Sequence, residues 1–574
     1  MNPYLDTDKM TVENQPKRPN FLIIVADDLG FTDLSPFGGE IKTPNLNKLS
    51  TENGIRLTDF HTASACSPTR SMLLSGTDNH IAGLGQMAEF AIKQPKLKGK
   101  PGYEGYLNDK VVALPEILRD NGYFTFLSGK WHLGLKKQYW PINRGFKKSW
   151  CLLPGAGNHY KYITRDPKTG EQAPFLPNLF VEDDHEIVPE TLPDNFYSTI
   201  HYTDKAIEFI DQTPENEPFF GFLTYTAPHW PYQAPQDRIA KYDGFYDLGP
   251  EELRRKRLAK ALELGIIEEN VKPHPITTIR KDWKDLTKEE KAIEIKIVQA
   301  YAAMVEILDE QIGRVIDHLE SKGELDNTFV LFMSDNGAEG MIMEALPLSN
   351  QRISTFVDKY YDNSLENIGN YNSFTFYGDQ WAQAATAPHS MYKAWSTEGA
   401  IVCPLILHYP PLIKSQHGKI LKEFTTVMDI LPTVLDLAGV KHPGKTYKGR
   451  SIAEPRGKSW KQYISGQAPY VHDQNTVTGW ELFGQQAIRK GDYKAIYIPK
   501  PFGPEKWQLF NIIKDPGEND DLAEQEPQKL QELTDHWAVY AAETGLIEIS
   551  SDFFQSEKIL GEEDYEVSYR TIYD

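Results

Sequence analysis

The chain has 574 residues, of which 40% are hydrophobic and 25% charged, with a net charge of −20. That length exceeds one compact core and points to two domains, or one large domain with an appendage. The acidic balance argues against a nucleic-acid partner, because phosphate backbones need a basic face, and requires any anion site to gather its positive charge locally.

Taken in chain order, residues 1–20 are polar and lack the apolar run of a secretory leader. The first apolar run, residues 21–25, is too short to cross a membrane. Cys66, Cys151 and Cys403 make no disulfide framework and suit a reducing compartment. The expectation is a cytoplasmic protein with no membrane partner.

Short apolar runs at residues 21–25, 123–127, 219–223, 328–333 and 401–407 read as strands buried on both faces. Pro404 weakens the last or sets it near a sheet edge. Helical patterns lie between them. Residues 114–119 stop at Asn121-Gly122, and residues 251–270 are dense in charge and read as a solvated surface helix. Residues 289–320 carry Ile297, Tyr301, Met304, Leu308 and Ile312 at helical spacing, and residues 425–438 end at Gly439. This alternation predicts an α/β fold, a mixed and mostly parallel sheet between helices. Past Lys441 come turn residues, strand-like runs at 493–498 and 507–513, and a helical pattern at 527–543. The expected division is a catalytic domain over 1–445 and a smaller α+β domain with an antiparallel sheet over 446–574.

Polar residues gather just beyond the predicted strands. Asp27 and Asp28 follow the first, Lys130 and His132 the second, His229 the third, and Asp335 and Asn336 the fourth. Ligands of open α/β sheets bind beyond the carboxyl ends of the strands. Asp27, Asp28, Asp335 and Asn336 offer only hard oxygen donors, which suit Ca²⁺ or Mg²⁺ rather than zinc. Alone, Asp27-Asp28 reads equally as a turn with a helix cap, and Asp335-Asn336-Gly337 as a turn with a left-handed glycine. Their joint position after two core strands favours a metal. Arg70, Lys130, His132, His229 and Lys393 could neutralise an anionic ester and its leaving oxygen. Each alone also reads as a packed loop residue, and no strand precedes Lys393. In Cys66-Ser67-Pro68-Thr69-Arg70 the proline is preset for a first helical turn, and residues 71–74 continue the helix. Cys66 and Arg70 would then sit at a helix N-terminus, which favours anions. Alone, the pentapeptide also reads as a buried structural cysteine near a turn.

Together these segments resemble the type I, formylglycine-dependent sulfatases of the alkaline phosphatase superfamily, and especially the bacterial arylsulfatases. The resemblance covers nearly the whole chain. It is carried by residues 21–30, Thr43-Pro44-Asn45-Leu46, 66–76, 130–134, 227–230, 334–337 and 426–439; residues 76–83 and 475–484 are similar to the bacterial group in particular. It implies an alkaline-phosphatase-like fold and one Ca²⁺, with Mg²⁺ second, held by Asp27, Asp28, Asp335, Asn336 and the modified Cys66. A formylglycine-generating enzyme would oxidise Cys66 to the aldehyde. Arg70 and Lys130 would hold its hydrate, His132 would deprotonate it and later break it down, and His229 and Lys393 would serve the ester oxygen. The implied activity is hydrolysis of small aryl sulfate esters, extending to alkyl sulfates, through a covalent sulfate on formylglycine. Two alternatives are a phosphonate or phosphate ester hydrolase on the same scaffold, and a non-catalytic metal-binding scaffold if Cys66 stays unmodified. Residues 341–389 are expected to shape the pocket beyond the sulfate. The expected assembly is a monomer or weak homo-oligomer.

Overall fold

In a computed structural model of the protein, the described residues are 17–91, 94–165, 170, 178–340 and 357–549. The readings for residues 1–16, for 341–356 of the pocket segment and for 550–574 of the C-terminal domain lie outside them. The apolar runs become the middle of a ten-stranded sheet. In chain order its strands are β1 (Asn20–Ala26), β2 (Gly54–Leu57), β3 (Phe124–Lys130), β4 (Lys148–Leu152), β5 (Phe180–Glu182), β6 (His185–Ile187), β7 (Phe219–Thr224), β8 (Thr328–Ser334), β9 (Leu405–His408) and β10 (Ile420–Leu421). Their spatial order is β10-β2-β9-β8-β1-β7-β3-β4-β5-β6. The central strands from β8 to β4 are parallel, and antiparallel strands flank them.

The near-continuous apolar character of β1 has a direct cause, since both of its faces are covered. Leu22, Ile24 and Ala26 join one core with Ala206 and Phe209 of the helix Ser198–Asp211 and Tyr301 and Leu308 of the helix Lys288–Ser321. Phe21, Ile23 and Val25 join the opposite core with Met72 of the helix Cys66–Ser75, Ile117 of the helix Leu114–Asp120 and Leu431 of the helix Ile430–Ala438. The helix Lys288–Ser321 starts at a reciprocal cap: Glu290 N–H donates to Thr287 Oγ1, and Thr287 N–H donates to Glu290 Oε2.

Three readings need correction. The run 401–407 is a strand only from Leu405, because Ile401 closes a short helix and Pro404 lies between them. That strand lies inside the sheet, between β8 and β2, and Pro404 stands just outside the ladder. The surface helix covers Pro250–Glu263, and Gly265 follows at φ 73°. The short strands β2 and β4 to β6 leave no signal in the sequence, because they are too brief for a periodicity to show.

Beyond the large sheet, β11 (Val477–Leu482), β12 (Gln485–Lys490), β13 (Tyr493–Tyr497) and β14 (Trp507–Asn511) form a sequential antiparallel sheet. One face packs Ile488, Ala495 and Leu509 under Leu533, Trp537 and Tyr540 of the helix Pro527–Thr544. The other packs Trp480, Ala487 and Ile496 against Ala400 and Ile401. Among the described residues no helix is long and apolar enough to cross a membrane.

A buried charged cluster fastens this sheet to the rest. His80 Nδ1 meets Asp78 Oδ1 at 2.9 Å, His80 Nε2 meets Glu481 Oε2 at 3.0 Å, and Tyr540 Oη donates to Asp78 Oδ2 at 2.7 Å. Burial alone would lower the His80 pKa, but Asp78 and Glu481 outweigh it and raise the value from 6.5 to about 9. A raised histidine pKa adds stability that is full below the unfolded value of 6.5 and is lost as pH rises through about 9. The contribution is on the order of 3 kcal/mol. His80→Gln should therefore be clearly less stable than wild type near pH 6, and the gap should narrow near pH 10. Denaturant titrations of both proteins at the two pH values measure this; a gap independent of pH would contradict it.

Candidate active site

The parallel strands β8, β1, β7 and β3 are neighbours and end level. Ala26 pairs with Ser334, Val25 with Thr224, and Gly129 with Thr224. The chain leaving these strands opens into one crevice, as in other open α/β sheets. Asp27 and Asp28 leave β1, His229 follows β7, Asp335 and Asn336 leave β8, and Lys130 ends β3 with His132 just beyond. Gly129 at φ 121° permits this exit, since a Cβ there would lie 1.8 Å from the Thr224 carbonyl oxygen.

The helix Cys66–Ser75 aims its N-terminus at the same crevice. Ala65 precedes it in extended conformation, Pro68 sits in its first turn, and Gly76 ends it at φ 68°. Arg70, one turn in, donates Nε and Nη2 to Asp335 Oδ2 at 3.1 and 2.8 Å, and Nη1 to the Lys130 carbonyl at 2.9 Å. Lys130 Nζ donates to Asp27 Oδ2 at 2.6 Å. Lys393 arrives on a loop held by two backbone bonds: its own N–H donates to the Ala338 carbonyl, and Ala394 N–H to the Ser64 carbonyl. Its Nζ lies 2.9 Å from Asp28 Oδ2 and 3.0 Å from Glu339 Oε2. His229 Nε2 is 3.4 Å from Asp28 Oδ2, while Nδ1 donates to the Trp230 carbonyl at 2.8 Å. Cys66 Sγ is 3.3 Å from His132 Nδ1, whose ring also meets Glu89. The structure thus brings every candidate residue of the sequence into one crevice.

All of these candidates are buried. Burial lifts the Asp27 carboxyl well above its ordinary range; Lys130 opposes this, and Asp335 and Asp28 reinforce it. Burial also pushes Asp28 up, but Lys393 foremost, with Lys130 and the Asn336 amide, prevails and holds it at about 2. The Cys66 thiol is raised by burial, yet Lys130 and His132 draw it down from 9.0 to about 7. Burial keeps the His229 ring neutral, against the pull of Asp28. The positive charge that a chain of net −20 must concentrate is here, on Arg70, Lys130 and Lys393.

The donor set suits a divalent cation. Asn336 Nδ2 donates to Asp28 Oδ1 at 2.7 Å, which fixes the amide with its oxygen turned away. Asn336 Oδ1 and Asp27 Oδ1 are both buried acceptors without a hydrogen-bond partner. Carboxylate oxygens of Asp27 and Asp335 lie within 4.8 Å of one another and of Cys66 Sγ. Orphaned hard acceptors among repelling carboxylates fit a divalent cation, which would satisfy them together.

Sequence reasoning missed Glu339 and Glu89. Glu339 lies four residues past Asp335 and could have been drawn in by that position. Glu89 follows no strand and belongs to no motif, so nothing in the sequence marks it.

A crevice lined by buried cations and carboxylates around a cysteine that opens a helix, at the ends of parallel strands, suits the hydrolysis of anionic esters. Residues 19–440 match the family described as Sulfatase, and residues 389–538 match N-sulphoglucosamine sulphohydrolase, C-terminal. The chain belongs to the sulfatase family and is by that membership a sulfuric ester hydrolase. It is 54% identical over 543 residues to an uncharacterised sulfatase of Schizosaccharomyces pombe, covering 94% of this chain and 96% of that one. It is 36% identical over 449 residues to the arylsulfatase of Klebsiella aerogenes, covering 78% and 92%. The crystal structure of Ps i-CgsB in complex with k-i-k-neocarrahexaose shares the fold, with a TM-score of 0.62 at 22% identity, covering 97% and 98%.

Chelation of divalent cations should lower the thermal unfolding temperature, and Ca²⁺ should restore it. At a hundredfold excess over Kd a bound ion adds about 2.7 kcal/mol. Asn336→Ala removes one orphaned oxygen without changing any charge, and it should blunt the response. Unfolding curves with chelator, with Ca²⁺ and with Mg²⁺, at matched ionic strength, check both points; a wild type indifferent to both ions would refute the cation assignment.

Proposed function

We propose that the protein hydrolyses small aryl sulfate esters, with residue 66 acting as formylglycine and with Ca²⁺ held by Asp27, Asp28, Asp335, Asn336 and residue 66. One observation carries this reading: Cys66 stands within 4.8 Å of Asp27 and Asp335 oxygens and 3.3 Å from His132 Nδ1. A structural cysteine has no use for such neighbours. Cys151 and Cys403 are also buried, and burial pushes both of their thiols far up, whereas the Cys66 thiol is drawn down.

Formylglycine supplies a hydrated carbon with two hydroxyls, one to take up the sulfuryl group and one to release it, and the cation supplies Lewis-acid charge. The chain's own residues do the rest. Arg70 and Lys130 each bind one oxygen of Asp335 and Asp27, and so fix both carboxylates beside residue 66. His132 Nδ1 faces residue 66 and exchanges a proton with it. Lys393 and His229 converge on Asp28 from another side, where they would meet the ester oxygen. Lys393 offers a preorganised positive charge there. His229 Nε2 faces the crevice, because Nδ1 is committed to the Trp230 carbonyl. A sulfate bound beside this neutral ring would raise its proton affinity and suit it to protonate a departing oxygen. Aromatic rings flank this side: Trp230 lies 4.3 Å from the His229 ring and 5.5 and 5.4 Å from Phe374 and Phe376. Such a wall favours an aryl group. The reading also assigns a formylglycine-generating enzyme as partner, a division of the chain near residues 445 and 446, and, from the unpaired cysteines, a cytoplasmic location.

Active protein should be lighter than its sequence by about 18 Da, localised to the peptide bearing residue 66. Cys66→Ser should not complete repeated turnovers, because a single hydroxyl holds the sulfate as a stable ester. Peptide mass spectrometry and a sulfate-release assay test both; wild-type turnover by Cys66→Ala would end the proposal.

For His229→Ala the expected loss grows with the basicity of the leaving oxygen, small for nitrophenyl sulfate and approaching about 10² to 10⁴-fold for alkyl sulfates. Rates across sulfate esters of graded leaving-group pKa measure the slope. A slope equal to that of wild type would assign His229 to binding or packing instead.

A further inference from the structure

We propose that Glu89 is the positioning residue of His132, holding the imidazole with a proton on Nε2 and the Nδ1 lone pair turned to residue 66. The inference rests on the nucleophile reading of residue 66. Its geometric basis is a three-residue line: Glu89 Oε1 lies 3.1 Å from His132 Nε2, and His132 Nδ1 lies 3.3 Å from Cys66 Sγ. An ionised carboxylate can only accept, so Nε2 carries the hydrogen of that contact. In a neutral ring Nδ1 then has its lone pair free for a proton from residue 66. The opposite tautomer would point an N–H at residue 66 and leave two acceptors facing each other across the Glu89 contact.

The rest of the ring's surroundings fix its place but not its tautomer. His132 has a left-handed backbone at φ 58°. Its ring lies against Gly155, where a Cβ would come 2.4 Å from Cε1. This close packing leaves the ring little room to turn. Both nitrogens are taken by Cys66 and Glu89, so the choice of protonated nitrogen falls to Glu89. Glu89 Oε2 is buried without a hydrogen-bond partner, so no second bond draws the carboxylate away from the ring.

Glu89 itself is held from the C-terminal sheet. The neighbouring Phe90 packs edge-on against Phe483, with centroids 5.0 Å apart and planes at 88°. Phe483 lies at the turn between β11 and β12 and shares a cluster with Ala65, the residue before Cys66. One small apolar cluster, which includes Phe90 and Ala65, therefore borders both ends of the line.

The test compares wild type with Glu89→Ala and Glu89→Asp, each rate expressed per mole of aldehyde found by mass spectrometry. Glu89→Ala should lower kcat for an aryl sulfate about 10²-fold with KM little changed, at the lower end of what general-base catalysis supplies. Glu89→Asp, which keeps the acceptor, should recover part of that loss. Proteins with unmodified Cys66 and ¹⁵N-labelled histidine provide a second readout. Burial lowers the His132 pKa but Cys66 and Glu89 outweigh it and raise it, so the spectra are taken at a pH high enough to leave the ring neutral; there His132 should be the Nε2–H tautomer in wild type and a mixture in Glu89→Ala. Glu89→Leu, apolar and of similar length, replaces the alanine variant if that one unfolds. An unchanged kcat, a loss carried by KM alone, or an unchanged tautomer would overturn the proposal. A wild type that carries the aldehyde yet turns over no sulfate ester, while the tautomer responds to Glu89, would refute the sulfatase mechanism and leave the positioning role standing.

Discussion

Three carboxylates buried together at one end of a sheet set the terms for the whole molecule. Asp27, Asp28 and Asp335 are fully shielded from water. Each meets a cation from a different segment: Lys130 at the end of β3, Lys393 on a loop, and Arg70 in the helix Cys66–Ser75. Removing one partner of a buried pair typically costs about 3 to 5 kcal/mol, because the other charge is left uncompensated. The three pairs therefore bind strand ends, helix and loop into one arrangement. The site is a condition of the fold's stability as well as the seat of its chemistry. The pairs still leave Asp27 Oδ1 and Asn336 Oδ1 unsatisfied, which is why the cluster reads as incomplete without a cation.

Backbone strain collects at the same place. Asp28, His132, Met391 and Ala394 all have left-handed backbones, at φ 67°, 58°, 59° and 74°. Asp28 and His132 are site residues, and Met391 and Ala394 flank Lys393. A non-glycine residue held this way costs on the order of 1 to 3 kcal/mol and persists only where its surroundings over-determine it. Here they do: Asp28 N–H bonds Asp335 Oδ1 at 3.3 Å, Ala394 N–H bonds Ser64, and Lys393 N–H bonds Ala338. The level ends of four parallel strands supply the rigid frame on which these turns are held.

Much of this was legible in the sequence for a physical reason. Strands covered on both faces must be continuously apolar, so β1, β3, β7 and β8 announced themselves, and the residues just after them were bound to share one crevice. Lys393 could be located only through resemblance, because two backbone bonds to distant segments, and no strand, put it there. Glu89 was invisible, since its meaning comes wholly from contact with His132 across 43 residues of chain. Pro404 misled in the opposite direction. It stands outside the ladder, so β9 runs through the sheet interior as a short strand.

Residues 76–83 and 475–484 are separated by nearly 400 residues of chain, and nothing in the sequence ties one to the other. In the folded chain the two segments meet through His80 and Glu481. Glu481 Oε1 also accepts the Gly484 N–H at the β11–β12 turn, and so shapes the hairpin that carries Phe483. The same hairpin donates Trp480 Nε1 to the Thr62 carbonyl at 2.8 Å, and Gln485 Oε1 accepts the Ser396 N–H at 3.2 Å. Its contacts therefore fall on the segments that lead into Cys66 and out of Lys393. Paired features far apart in sequence acquire one explanation: the small sheet is a wall of the site, and its register on the core is set by a buried histidine between two carboxylates. An appendage that only added bulk would have no need to spend buried charge on its attachment.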